Sequence, residues 1–234
     1  VIETGTVIDQ YTVIRRLACG GMSEVYLARD MWLDRNVALK IIYPEILAIK
    51  RLKEQFWTEV KMIAKFNHPH VISIFGVGEY LRRQYAALEF VEGQTLRDAL
   101  DRRLTIEESI QYSLSVAEAL KVLHGSQILH GDLKPENIMI PPGGILRVVD
   151  FGLATSFQDH LVTNPWKTGP KICGDKRSIA DIKTVDDDES EGISGTPLYM
   201  APEQWRRQSL SGATDMWALG MIMYEMLSGA APYD

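Results

Sequence analysis

The chain has 234 residues, 46% hydrophobic and 24% charged, which excludes a wholly disordered polypeptide and allows one large domain or two small lobes sharing a cleft. A formal net charge of −6 and a sequence pI near 5.4, with no basic run to offset them, argue against an electrostatic nucleic-acid footprint.

The opening VIETGTVIDQ has neither the basic nor the apolar region of a signal peptide, and the missing initiator Met points to a piece of a longer protein. Cys19 and Cys173 are the only cysteines; they have no metal-type spacing and fit a reducing, cytoplasmic compartment. In LACGGMSEVY, 17 to 26, a full G-x-G-x-x-G would need glycine at 18, 20 and 23. Ala18, Gly20 and Ser23 stand there, so by itself the stretch reads as a plain turn. EVYLA and NVALKIIY have the β-branched and aromatic content of strands. Alternation in VALK puts Ala38 and Lys40 on one face and Val37 and Leu39 on the other, so Lys40 is expected in a buried strand. Residues 51–66 have helical spacing, with Phe56, Ile63 and Phe66 on one stripe. Glu59 shares that stripe and needs a partner if it is buried. Lys40, Lys53 and solvent are the options, and periodicity leaves them open.

After GQTLRDAL the pattern becomes mainly helical. TIEESIQYSLSVAEALKVLH opens with Thr105 and Glu108 in capping-box spacing and repeats Ile110, Leu114 and Ala117 on one face. The stretch ILHGDLKPENIMI holds a polar cluster of Asp132, Lys134 and Asn137 between apolar runs. IMI and ILRVV read as strands joined at PPGG. Antiparallel pairing there brings Asn137, before the first strand, and Asp150, after the second, to the same end. Two side-by-side oxygen ligands suit a hard cation such as Mg²⁺. Ordinary turn residues are the alternative, and Asp132 at the same end weighs for the metal. Residues 154–195 show no sustained periodicity, and 181–191 is an acidic run expected to form a solvated loop. MWALGMIMYEML, 216 to 227, is too short to span a bilayer and adjoins or contains Asp215 and Glu225, so a buried core helix is expected.

These motifs resemble the protein kinase family, above all the bacterial Ser/Thr kinases of eukaryotic type. LACGGMSEVYLARD, VALK, FWTEV, HGDLKPEN, DFG, GTPLYMAPE and DMWALG occur in the family's order over nearly the whole chain. The resemblance implies an α+β, two-lobed protein-kinase-like fold. Residues 1–91 would form an N-lobe of antiparallel sheet plus one helix, ending in the hinge. Residues 92–234 would form a mostly helical C-lobe, incomplete after the helix that starts near Asp215, with a long activation segment from 150 to 203.

It also implies ATP and Mg²⁺, with Mn²⁺ as a substitute, and protein hydroxyls as acceptors. Lys40 would hold the α and β phosphates and pair with Glu59. Asp132 would accept or orient the substrate hydroxyl proton, Lys134 would steady the γ-phosphate, and Asn137 and Asp150 would hold the metal. Leu17, Ala18, Gly20 and Gly21 match the phosphate loop. Val25, Ala38 and Met139 would sandwich adenine, and Glu89 to Val91, after the gatekeeper Leu88, match the hinge. Ile63, Ile74, His130 and Phe151 match the column linking the lobes, with Asp215 at its base; plain core packing is compatible with each apolar position. Lys134 and Thr196 point to Ser/Thr acceptors.

Two departures matter. Ala18 and Ser23 in the phosphate loop allow a pseudokinase, a binding module without catalysis, although Lys40, Glu59, Asp132, Asn137 and Asp150 are intact. Gly131 stands where this group usually has an arginine that grips a phosphorylated activation segment, so activity independent of such a phosphate is expected. Small-molecule kinases acting on aminoglycosides or choline also show HGD followed by Asn. They rarely carry Lys at the 134 position and lack GTPLYMAPE, so protein substrates come first. The family continues past the last helix here, and one later arginine pairs with the counterpart of Glu203. The 216–227 helix is therefore expected to be covered by a missing region or a partner chain, and the acidic 181–191 run to recruit a basic partner.

Overall fold

The computed structural model describes residues 1–150, 155, 156 and 197–233, apart from Gly21, Met22, Ile49 and Arg207 and the side chains of 50–52, 55, 59, 155, 156 and 197. The expectations for Gly21, Phe151, Cys173, Thr196, the 181–191 run and the Glu59 carboxylate lie outside the described residues. The chain forms two compact units. One takes in Val1–Lys53 and Phe75–Phe90; the other takes in Glu54–Ile74 and the stretches from Val91 and from Pro197.

The first unit is built on a sheet of β1 (Val7–Ile8), β2 (Tyr11–Cys19), β3 (Ser23–Asp30), β4 (Arg35–Ile42), β5 (Ile74–Tyr80) and β6 (Arg83–Glu89), in the order β1-β2-β3-β4-β6-β5. The pairings from β1 through β4 to β6 are antiparallel. Period-two alternation gives this sheet two different faces. One carries Tyr11, Val13, Tyr26, Ala28, Val37, Leu39, Ile41, Tyr85 and Ala87, which pack as a single buried cluster. The other carries Val25, Ala38, Lys40 and Leu88, as the register shows below. The β3–β4 turn is held by Asp30, whose Oδ1 accepts from the backbone N–H groups of Trp32 at 3.1 Å and Leu33 at 3.2 Å.

Two helices follow β4, α1 (Pro44–Ala48) and α2 (Lys50–Ile63). The α2 stripe expected from spacing buries Phe56 and Ile63, while Phe66 lies beyond the helix end and is half-buried.

The second unit has a small sheet in the order β10 (Arg147–Val148), β9 (Ile138–Ile140), β7 (Gln94–Thr95), and the helices α3 (Leu96–Ala99), α4 (Ile106–Gly125), α5 (Pro202–Trp205) and α6 (Gly212–Ser228). A short β8 (Ile128–Leu129) pairs with β11 (Thr155–Ser156). The Thr105–Glu108 capping box starts α4 as the spacing predicts. Its apolar repeat is on the other side from the packed one, however: Ile110 is 45% and Leu114 55% exposed. The buried side instead holds Ser109, Ser113, Val116, Leu120 and Leu123. Ser109 Oγ donates to Thr105 O at 2.8 Å and Ser113 Oγ to Ser109 O at 2.7 Å, so these small side chains enter an apolar interface with their hydroxyls satisfied inside the helix.

The expectation of a buried core helix at 216–227 holds for one side of the helix only. Ala218, Leu219, Ile222 and Met226 of α6 are buried, but Met216, Trp217, Tyr224 and Leu227 are exposed. Its C-terminus is Gly229 at φ +73, the left-handed cap for which glycine has no Cβ penalty.

Candidate active site

Register assembles one group of predicted residues in the first unit. Val25 lies opposite Lys40, which lies opposite Ala86; in the neighbouring row Leu27 faces Ala38 and Ala38 faces Leu88. Opposed residues in an antiparallel pair share a face. Val25, Ala38, Lys40 and Leu88 therefore line one side of the sheet, opposite the packed core. Ala18 joins this side through its pairing with Val25. Leu17 is the extra residue of a bulge, because the register runs Arg16↔Tyr26 and then Ala18↔Val25. Gly20 donates its N–H to Ser23 O at 2.9 Å, closing the turn between β2 and β3. Glu89 ends β6 opposite Val37, and Val91 follows, buried.

The second group lies in the second unit, on the loop between β8 and β9. Lys134 Nζ donates to Asp132 Oδ2 at 2.9 Å. Burial opposes the Lys134 charge, but the carboxylates of Asp132, Asp150 and Glu136 prevail and hold its pKa above the ordinary lysine value. Asn137, buried in the 3-10 turn Pro135–Asn137, donates an Nδ2 hydrogen to Asp132 O at 2.8 Å, which fixes the amide by its nitrogen and leaves Oδ1 as its candidate metal ligand. Val149 N donates to Asn137 O at 2.9 Å, so Asp150, exposed at φ +57, comes one residue beyond the backbone of Asn137. The β9–β10 pairing thus does what the PPGG turn implies, and Met139 sits in its middle between Thr95 and Arg147.

Beneath this loop lies a buried polar frame. Asp215, 1% exposed on α6, accepts from Gly131 N at 2.8 Å, from His130 N at 2.9 Å and from His124 Nε2 at 2.8 Å. Fully buried His130 accepts from Asp132 N at Nδ1, which leaves Nε2 as the donor to Val149 O at 3.3 Å. Gly131 is gripped on its other side too, as Gln204 Nε2 donates to Gly131 O at 2.9 Å. Its φ of +74 is a region that side chains with a Cβ enter at a cost, so the glycine has a backbone reason as well as a missing side chain.

The donor set fits a hard cation. Asn137 Oδ1 and the exposed Asp150 carboxylate offer two oxygens, while among the described residues no group of three or more His, Cys, Asp or Glu forms a self-contained metal cage. Two protein oxygens completed by water and phosphate is how Mg²⁺ usually binds.

The protein kinase domain profile matches residues 11–234. The chain belongs to the protein kinase family. Among curated proteins it is 30% identical over 227 residues to the serine/threonine-protein kinase PrkC of Bacillus subtilis, covering 96% of this chain and 31% of that one. It is 32% identical over 231 residues to the serine/threonine-protein kinase PknB of Mycobacterium leprae, covering 96% and 33%. The chain thus spans about a third of the length of such relatives. The PknI kinase domain of Mycobacterium tuberculosis has the same fold, with a TM-score of 0.71 at 24% identity over 100% of this chain and 78% of that one. A two-lobed kinase fold with an antiparallel N-terminal sheet is accordingly the architecture of this chain.

Several contacts of this kinase were not anticipated from sequence. They include His124 to Asp215, Gln204 to Gly131, Thr214 Oγ1 to Glu203 Oε1 at 2.6 Å, and a cluster around Arg97. The signal for two of them was present: Asp215 and Glu225 are carboxylates in an otherwise apolar helix, and a buried charge requires a partner.

Proposed function

We propose that this kinase chain transfers the γ-phosphate of ATP to Ser or Thr hydroxyls of proteins. The observation that carries this is the loop holding Asp132, Lys134 and Asn137 in mutual hydrogen bonds, on a backbone fixed by Asp215. Phosphoryl transfer asks a protein for positioning and charge rather than covalent chemistry. Asp132 orients the attacking hydroxyl and takes its proton. Lys134, held protonated by its acidic neighbours, steadies the γ-phosphate. Lys40 holds the α and β phosphates and pairs with Glu59, and the sheet face of Val25, Ala38 and Leu88 lies against adenine together with Met139 and the hinge from Glu89 to Val91. Asn137 and Asp150 hold the divalent cation, Mg²⁺ with Mn²⁺ as a substitute, which when bound neutralises phosphate charge.

Protein substrates are favoured over small molecules by two features. The segment Leu198–Pro202 borders an open apolar pocket of about 440 Å³, completed by Trp205, Trp217 and Tyr233, a surface suited to a peptide side chain. Gly131, the residue shared with small-molecule kinases, is accounted for by its positive φ. The acidic 181–191 run is read as a site for a basic partner or substrate.

Labelled phosphate transfer from Mg-ATP to myelin basic protein tests the reading, with abolition by Asp132→Ala expected. Transfer to kanamycin or choline instead would make it a small-molecule kinase. An ATP-dependent rise in melting temperature with no transfer under Mg²⁺ or Mn²⁺ would make it a binding module.

A further inference from the structure

Arg97 of α3 lies at the centre of a partly buried cluster that none of the roles above uses. Its Nε donates to Glu136 Oε1 at 3.0 Å and one terminal nitrogen to Glu225 Oε1 at 2.6 Å. The other donates to the Tyr199 hydroxyl, which in turn donates to Glu225 Oε2. Glu225 and Tyr199 are buried, at 5% and 4% exposure. Burial works against the guanidinium charge, but hydrogen bonds to Glu225 and Glu136 more than offset it, so Arg97 stays protonated.

Glu136 ties this cluster to the chemistry. It lies in the single 3-10 turn between Lys134 and Asn137, closed by one bond from Asn137 N to Lys134 O at 2.9 Å. Glu136 Oε2 is buried without a hydrogen-bond partner, so the ion pair with Arg97, beside the more distant charge of Lys134, is what compensates this carboxylate where it stands. One guanidinium serves two carboxylates. Without it, Glu136 and Glu225 repel across a partly desolvated space, and the half-exposed Glu136 is the one able to turn to water. That movement would carry Pro135–Asn137 with it, and with them the Asn137 contact to Asp132 O.

We propose that Arg97 is a positioning residue for phosphoryl transfer, setting the turn that carries Lys134 and Asn137 against α6 and Tyr199 through Glu136 and Glu225. The inference rests on the kinase reading above. It requires arginine in particular, because a planar fork reaches three acceptors in three directions and a lysine ammonium on a flexible stem does not.

The test is steady-state transfer from Mg-ATP to myelin basic protein by the whole chain, well below each variant's melting temperature. Arg97→Lys and Glu136→Gln are each expected to lower kcat by about tenfold or more while KM for ATP moves less than about twofold, since misplacement of catalytic groups acts on the chemical step. The double variant is expected to be no slower than the worse single one, because the two act through one contact. An unchanged kcat in both single variants, or losses that multiply in the double variant, would overturn the proposal. If Arg97→Lys does not fold, Glu136→Gln alone decides it by the same kcat criterion. If the unsubstituted chain transfers no phosphate, the kinase reading fails separately, and amide hydrogen exchange then decides the positioning role. Exchange at 136–140 is expected to quicken in Arg97→Lys with α4 unaffected, and equal exchange at 136–140 would refute it.

Discussion

The carboxylate of Asp215 accepts the backbone N–H of Gly131 at 2.8 Å on Oδ1, while Oδ2 takes that of the preceding His130 at 2.9 Å. A single buried side chain thus fixes two successive peptide groups ahead of Asp132. Asn in its place keeps one oxygen and turns an amide NH₂ toward a backbone donor. Asp215→Asn is therefore expected to cost about 3 kcal/mol, the scale for a broken buried charged hydrogen-bond network, read from urea denaturation. Phosphate transfer should fall with it even at temperatures where the variant is folded.

Gly131 carries two expectations of opposite kind. Gly131→Ala puts a Cβ at φ +74 and should lower stability by about 1 kcal/mol in the same assay. Phosphatase treatment of the unsubstituted protein, in contrast, should leave its transfer rate unchanged. No arginine at 131 is present to grip a phosphate, and a collapse in rate would contradict this account.

At the start of α4, the Glu108 pKa is lowered from 4.5 to about 2, first by hydrogen bonds from Arg102 and then by the N–H of Thr105. A depressed carboxylate contributes stability that is present above its unfolded pKa and lost as pH falls toward the folded one. The contribution should be full above about pH 4.5 and disappear toward about pH 2. Because the group lies at the surface the effect is screened, and Glu108→Gln should flatten that part of an acid-denaturation profile by lowering stability slightly above about pH 4.5 while leaving it unchanged near pH 2.

Asn137 serves the loop with Nδ2, and on the proposed reading it would serve the metal with Oδ1. Asn137→Ala removes both, so the Mg²⁺ concentration for half-maximal transfer should rise about 10- to 100-fold, the range for disturbing a metal site's supporting groups. EDTA should abolish transfer by the unsubstituted chain, with Mg²⁺ restoring it.

Inside α4, Ser113→Ala should change stability by less than about 0.5 kcal/mol, since the lost hydroxyl served only a carbonyl within the same helix. A loss of several times that would mean that the hydroxyl has another essential partner.

The strands were legible because their alternation is strong: Val37, Leu39 and Ile41 against Ala38 and Lys40 admits one arrangement of faces, and β3 and β4 form where it places them. The Asn137–Asp150 end of the hairpin was legible for a related reason, as a tight turn fixes which residues meet. Helices were read less well. In the first half of α4 Ile110 and Leu114 are larger apolar residues than anything on the packed side, which there uses Ser109 and Ser113, their polarity cancelled by bonds to the carbonyl one turn back, a cancellation that residue type does not announce. The Arg97 cluster was hidden by distance: its members are 39, 102 and 128 positions from Arg97, and nothing local marks Arg97 as anything but a surface cation.

The bulge at Leu17 gives this chain a point in β2 where its length can change without a change of register. Because Leu17 has no opposite number on β3, exchanging it for another apolar residue leaves every neighbouring pair intact. Removing it would bring Arg16 and Ala18 together opposite Tyr26 and Val25, which are already neighbours, so Tyr11 and Val13 would keep their places in the core. What a deletion would take away is the local bend and added twist that a bulge gives its strand, just ahead of Gly20. The lesion would therefore fall on the aim of the loop after β2 rather than on the sheet.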